Sequence, residues 1–159
     1  MSYSEQLQSI VRRYRSAGEP WPATTKTIAA WAIANRLWQP QRSTLVTQCA
    51  EQLAKAMREE YVTDPQGRRV RAKHVAIIEQ NGEQMAFWAD IRNAPREHMQ
   101  LSFQQRRHQI VGDCRQLKAD VDSFNDNSTK EEPINMVFDF TLDLAELELA
   151  NKKRRSKAA

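Results

Sequence analysis

The dipeptide Asn81-Gly82 constrains this chain more than any other feature. Both residues tolerate positive φ, which the two-residue turn of a β-hairpin requires. A turn there sets a register: Ile78 opposite Met85, Ala76 opposite Phe87, and Lys73 opposite Asp90. The first two pairs are apolar on one face, and the third opposes unlike charges. The three pairs are mutually consistent, so the sequence predicts a long hairpin over residues 68–91. Asp64-Pro65-Gln66-Gly67 is a second turn signal, between Tyr61-Val62-Thr63 and the extended run Arg68–Gln80. Strand alternation places Arg69, Arg71 and Lys73 on one face of that run.

Ahead of the ribbon the text is helical. Leu7, Ile10, Val11 and Tyr14 recur at helical spacing over Ser4–Ser16, with Ser4 as N-cap and Gly18 as stop. Two prolines in Glu19-Pro20-Trp21-Pro22 force a loop. Thr24 or Thr25 caps a second helix to about Leu37, with Ile28, Trp31, Asn35 and Trp38 on one stripe. A third helix is expected from about Pro40 to Glu60, turning Val46, Cys49, Leu53, Ala56 and Met57 inward. Trp31, Trp38 and Trp88 share stripes with apolar residues and are expected in the core.

Behind the ribbon a long helix is predicted from about Pro95 to Asn125. Phe103, Ile110, Leu117 and Phe124 recur every seven residues, and Arg107, Cys114 and Val121 fill the alternate positions, which makes a heptad seam. Its apolar members (Phe103, Ile110, Cys114, Leu117, Val121 and Phe124) are the expected dimerisation residues. The stripe needs cover from a second copy or from the chain's own hairpin face of Ile78, Met85 and Phe87. The excess length of the helix favours the second copy. Asn125–Pro133 has linker composition, and Ile134–Phe140 alternates weakly. Thr141 caps a short Leu- and Glu-rich helix, Leu142–Ala150, before a basic tail, 151–159, expected to be disordered. The chain thus reads as α+β and mainly helical, in three parts: 1–93, 94–125 and 126–159.

Charge is unevenly spread. Residues 1–80 carry 12 Lys and Arg against 7 Asp and Glu, residues 81–151 carry 7 against 13, and residues 152–159 add 5 basic groups. A basic front suits a polyanion that touches part of the molecule. The longest apolar run is the seven residues Ile28–Ala34, far below the roughly 20 of a membrane helix, and the N-terminal text has no apolar signal core. Two cysteines, Cys49 and Cys114, make no disulfide framework, so a cytoplasmic setting is expected. His74, His98 and His108 lack metal-site spacing, no Cys-x-x-Cys is present, and no nucleophile elbow or phosphate loop occurs. No enzyme, cofactor, metal or small-molecule substrate is inferred.

Helix, helix and hairpin in that order, with Thr24–Glu60 as the helix pair and Tyr61–Ile78 as the wing, resemble a winged helix-turn-helix domain. Residues 104–126 and 133–148 resemble pieces of an uncharacterised bacterial family, which brings no function with it. The winged-helix resemblance implies a recognition helix in the major groove and a wing against the backbone. Gln41, Arg42, Ser43, Thr44, Thr47 and Gln48 supply the short polar, amide and guanidinium groups that read base edges. Arg68, Arg69, Arg71 and Lys73 supply wing cations. The function expected is sequence-dependent duplex DNA binding by a small, dimeric, regulatory protein. Two alternatives stay open: a protein-interaction module using the same scaffold with its acidic, Leu-rich C-terminus, and a structured-RNA binder.

Overall fold

The computed structural model describes residues 2–39, 44–127 and 132–158. They form an α+β structure of five helices and two small antiparallel sheets. By its contacts the chain divides into two compact units, Met1–Met57 and Arg58–Ala159.

The first unit holds α1 (Tyr3–Ser16), α2 (Thr25–Ala34) and most of α3 (Leu45–Glu59). The cap of α1 is Ser2, two residues before the expected Ser4. Its hydroxyl takes the Glu5 N–H while the Glu5 carboxylate takes the Ser2 N–H, a closed capping box. Gly18 ends the helix region at φ +76°, as the sequence predicts. Thr24 caps α2 by accepting from the Thr27 N–H at 3.1 Å. That helix stops at Ala34 and not near Leu37, because Asn35 turns its side-chain amide onto the Trp31 carbonyl and Arg36 enters the left-handed region at φ 56°. Helices α1 and α2 pack through Ile10, Tyr14 and Ala32. The Tyr14 ring meets Trp31 edge-on at 5.4 Å, and Trp38 donates its indole N–H to the Tyr3 hydroxyl. Trp31 and Trp38 are half-buried, short of full core positions.

The expected inward face of α3 is corrected. Val46 is 80% exposed and Leu53 57%; Cys49 and Ala56 are exposed too, and only Met57 is half-buried. The helix is amphipathic, but no described element of the chain buries its apolar side.

The second unit is built on two ribbons and a long helix. β1 (Tyr61–Thr63) pairs with β2 (Arg69–Arg71), and β3 (Lys73–Gln80) pairs with β4 (Glu83–Asp90). The β3–β4 register is the one the turn dictates: Ile78 faces Met85, Ala76 faces Phe87, and Lys73 faces Asp90. Asn81 and Gly82 have φ of 51° and 79°. The single extended run 68–80 is corrected, because the chain bends at Ala72. The Ala72 N–H bonds the Glu60 carbonyl and its carbonyl takes the Ile91 N–H, so Ala72 ties the two ribbons together and is itself buried. The strand alternation that would align Lys73 with Arg69 and Arg71 is broken there.

Helix α4 (Arg96–Asn127) matches the predicted long helix and packs on β3. Two side-chain amides anchor it. Gln105 accepts from the Ile77 N–H at 2.9 Å and donates to the Ile77 carbonyl at 2.8 Å. Asn125 does the same to Ile134 at 2.9 and 2.8 Å. The segment 132–140 has no regular secondary structure and is tied to α4 at Ile134, so the weakly alternating run Ile134–Phe140, expected as a short strand, is not a strand of either sheet. The last helix, α5, runs Thr141–Ala158, so the expected disordered basic tail is helical over residues 151–158. Its start is capped by the Asp139 carboxylate, which accepts from the Thr141 N–H and hydroxyl, and not by Thr141 itself. Those two bonds, the hydroxyl's first, hold the Asp139 pKa below 3.8. Among the described residues no helix is long and apolar enough to cross a membrane.

The Gln105 bonds give a direct test. Gln105→Ala leaves the Ile77 backbone groups without their partner and should lower the unfolding free energy by about 1–2 kcal/mol in urea titrations.

Candidate nucleic-acid interface

The predicted site residues fall in two places. Gln41, Arg42 and Ser43 lie outside the described residues. Thr44 sits at the entry to α3, and Thr47 and Gln48 are exposed on its first turns, in the first unit. Arg68, Arg69, Arg71 and Lys73 belong to the second unit.

The four wing cations have different local fates. Asp64 accepts the Arg68 N–H at 2.7 Å on one carboxylate oxygen and the Arg68 Nε at 2.6 Å on the other. Its side chain is only 4% exposed. Burial pushes the Asp64 pKa up, but the Arg68 bonds and a bond from the Gln66 backbone hold it below 3.8. Arg68 is thus the staple of the β1–β2 turn, whose reversal needs Gly67 at φ +78°. The Arg69 guanidinium lies 4.4 Å over the Tyr61 ring. Lys73 pairs with Glu60 at 3.0 Å. Arg71 alone of the four has neither an ion pair nor a ring contact among the described residues.

Arg71 opens into a groove of about 890 Å³ between β3 and α4. Arg58 and Arg106 line it with Arg71 and Lys73, and no Asp or Glu is among its lining residues. Arg58 lies 5.3 Å over the Trp88 ring, a stacking that orients a guanidinium while leaving its N–H edge free. Gln84, Gln104 and Gln109 add amides that both donate and accept. A groove of unpaired guanidiniums with amide groups between them is chemically suited to a phosphate backbone.

His74 forms part of the groove wall and is buried. Its ring meets Phe103 edge-on at 5.3 Å, and its Nε2 donates to the Arg71 carbonyl at 3.0 Å. His98 Nε2 in turn donates to the His74 carbonyl at 2.9 Å. Burial, then the positive fields of Arg106, Arg71 and His98, hold the His74 pKa below 6.5, against the bond to Arg71 that raises it. The local field of the groove is therefore cationic.

The sequence reading identified Arg71 and Lys73 but missed Arg58, Arg106 and Trp88. Arg58 lies at the end of a helix, Arg106 in the middle of another, and Trp88 on a strand, so no spacing rule joins them. Scans against family models, curated proteins and solved structures each return no match for this chain.

The His74 environment predicts a pH dependence. The folded pKa lies below the unfolded one, so the unfolded chain binds more protons as the pH falls. The stability contributed by neutral His74 is present above about pH 6.5 and is lost as the pH drops toward the folded pKa. Thermal unfolding followed from about pH 7.5 to 5 should show a falling midpoint, and His74→Gln should flatten the fall.

Proposed function

We propose that this chain binds duplex DNA, with the β3–α4 groove holding the phosphate backbone. The observation that carries the reading is the set of guanidiniums at Arg58, Arg71 and Arg106, lining one groove that has no carboxylate in its wall. Steering and holding a polyanion is the chemistry such a groove favours. In the same proposal the chain is a winged helix-turn-helix protein. Residues Gln41 to Gln48 read bases, and two copies act together as a cytoplasmic regulator of transcription. The α4 stripe supports pairing: Phe103, Ile110, Leu117 and Phe124 are 44–54% exposed, although Phe103 also meets His74 of the hairpin.

A second reading rests on α5. Leu142 is 78% exposed, and Leu144, Leu147 and Leu149 about 60%. Leu142 with Leu149 and Leu144 with Leu147 lie on opposite sides of the helix, and exposed leucines of that kind also suit a protein partner. Structured RNA would use the same guanidiniums, and a duplex RNA competitor separates that case.

Fluorescence anisotropy with labelled duplex DNA tests the proposal. Neutralising roughly three to five phosphates gives a log–log salt slope near −3 to −5, and Arg71→Ala with Arg106→Ala should reduce that slope by about two while weakening all sequences alike. Gln48→Ala should instead relax sequence choice. Folded protein that fails to bind at about 50 mM salt refutes the proposal.

A further inference from the structure

The two edges of the β3–β4 ribbon are treated differently. Opposite residues of an antiparallel pair either exchange both backbone bonds or neither. Ile77 gives its N–H and C=O to Gln105, so Ile77 and its partner Ala86 are a pair that exchanges neither. Ala86 therefore points its own N–H and C=O away from β3, and Gln84 and Trp88, two residues to either side, do the same. The β3 edge is closed at its middle by Gln105. Along β4 none of these outward groups has a partner among the described residues.

The face beside that open edge is also half-finished. His74 and Ala76 are buried, whereas Ile78, Met85 and Phe87 on the same face are 39%, 42% and 38% exposed. Residues 84–88, Gln-Met-Ala-Phe-Trp, carry no charge. The acids of this eight-residue strand, Glu83 and Asp90, stand at its two ends, so its central free edge and apolar face carry no charge to keep the edge single, and a two-stranded ribbon is marginal alone.

We propose that β4 pairs antiparallel with β4 of a second copy, centred on Ala86, to make a four-stranded sheet in the order β3-β4-β4-β3. The sequence of β4 is complementary to itself in that register. Ala86 meets Ala86 of the copy, each Met85 meets a Phe87, and each Gln84 meets a Trp88. Glu83 falls opposite Ala89 and Asp90 opposite Gly82, so no acid faces an acid. Shifting the centre to Met85 would set Glu83 against Phe87, and shifting it to Phe87 would spend each Met85 on Ala89. A peptide of another protein would need to bring its own matching apolar pair, whereas a second copy already carries it. The new sheet pairs Met85 with Phe87 on one face and leaves both β3 edges on its outer margins, while the side chains of Gln84 and Trp88, which line the basic groove, lie on the other face. The pairing does not depend on what the groove binds.

Ala86→Pro is the test. The outward N–H it removes takes no part in the β3–β4 ladder, so the hairpin keeps its own bonds, while two bonds at the centre of the paired sheet are lost. Sedimentation equilibrium of the full chain should find a wild-type dimer, and Ala86→Pro should raise its dissociation constant by about 100-fold or more with an unchanged far-ultraviolet spectrum. A paired set checks the register and guards against misfolding. Met85→Lys with Phe87→Lys should dissociate the dimer, and Met85→Glu with Phe87→Lys should restore it, because each Glu then faces a Lys. A monomeric wild type, an Ala86→Pro dimer of wild-type affinity, or equal behaviour of the two charge variants would overturn the proposal.

Discussion

The second unit depends on one side-chain amide. Gln105 bonds both backbone groups of Ile77 and so acts as a third strand one residue long. With those two bonds α4 is held against the β3 edge, and the space left between helix and strand becomes the groove. The same bonds fix which residues of the ribbon point outward. They leave β4 as the open edge, and on the face that carries Met85 and Phe87 only the part near His74 and Ala76 is buried. Amides suit this role because one group both donates and accepts in a plane, as a peptide does. Asn125 repeats the device on Ile134 near the other end of α4, where it ties down a segment that belongs to no sheet.

The charge in the groove follows from which cations are already occupied. Asp64 holds Arg68 and Glu60 holds Lys73, and each pairing serves the local fold: the first closes a turn and the second braces the junction at Ala72. Arg58 is turned onto Trp88, and burial, with the fields of Arg106 and Arg71 added to it, depresses the His74 pKa. Leaving guanidiniums unpaired beside a buried imidazole works against folding. The arrangement has a rationale if an anion completes it, since each released counterion then contributes to binding. His74 links the two effects, because it stays neutral among those cations and shares an edge contact with Phe103, the first residue of the α4 stripe.

The apolar surfaces follow the same logic at larger scale. Leu45, Val46 and Leu53 on α3, the seam on α4 and the leucines of α5 are exposed in the single chain. Helical propensity and capping are enough to define these helices, but their stability in proteins comes mainly from burying such faces. The seam therefore reports where cover is needed, and the β4 edge adds a directional constraint that a greasy stripe lacks, because backbone bonds demand one spacing and one register.

The sequence alone determined what depends on neighbours along the chain. The Asn81-Gly82 turn set the β3–β4 register to the residue, since its backbone angles admit few alternatives. Thr24 and Gly18 marked helix ends, and the heptad spacing marked α4. Tertiary structure decided what depends on residues far apart in sequence. The extended run breaks at Ala72 because its N–H bonds Glu60 while its carbonyl takes the Ile91 N–H, and no local signal announces that. The α3 face reads as core by period, yet periodicity says only that one side is apolar, not that a partner lies within the same chain. Arg58, Arg71 and Arg106 come together because a ribbon and a helix cross there, held by an amide bond spanning 28 residues. Local geometry is encoded by steric limits on φ and ψ, whereas a groove is encoded by packing, which a linear reading does not contain.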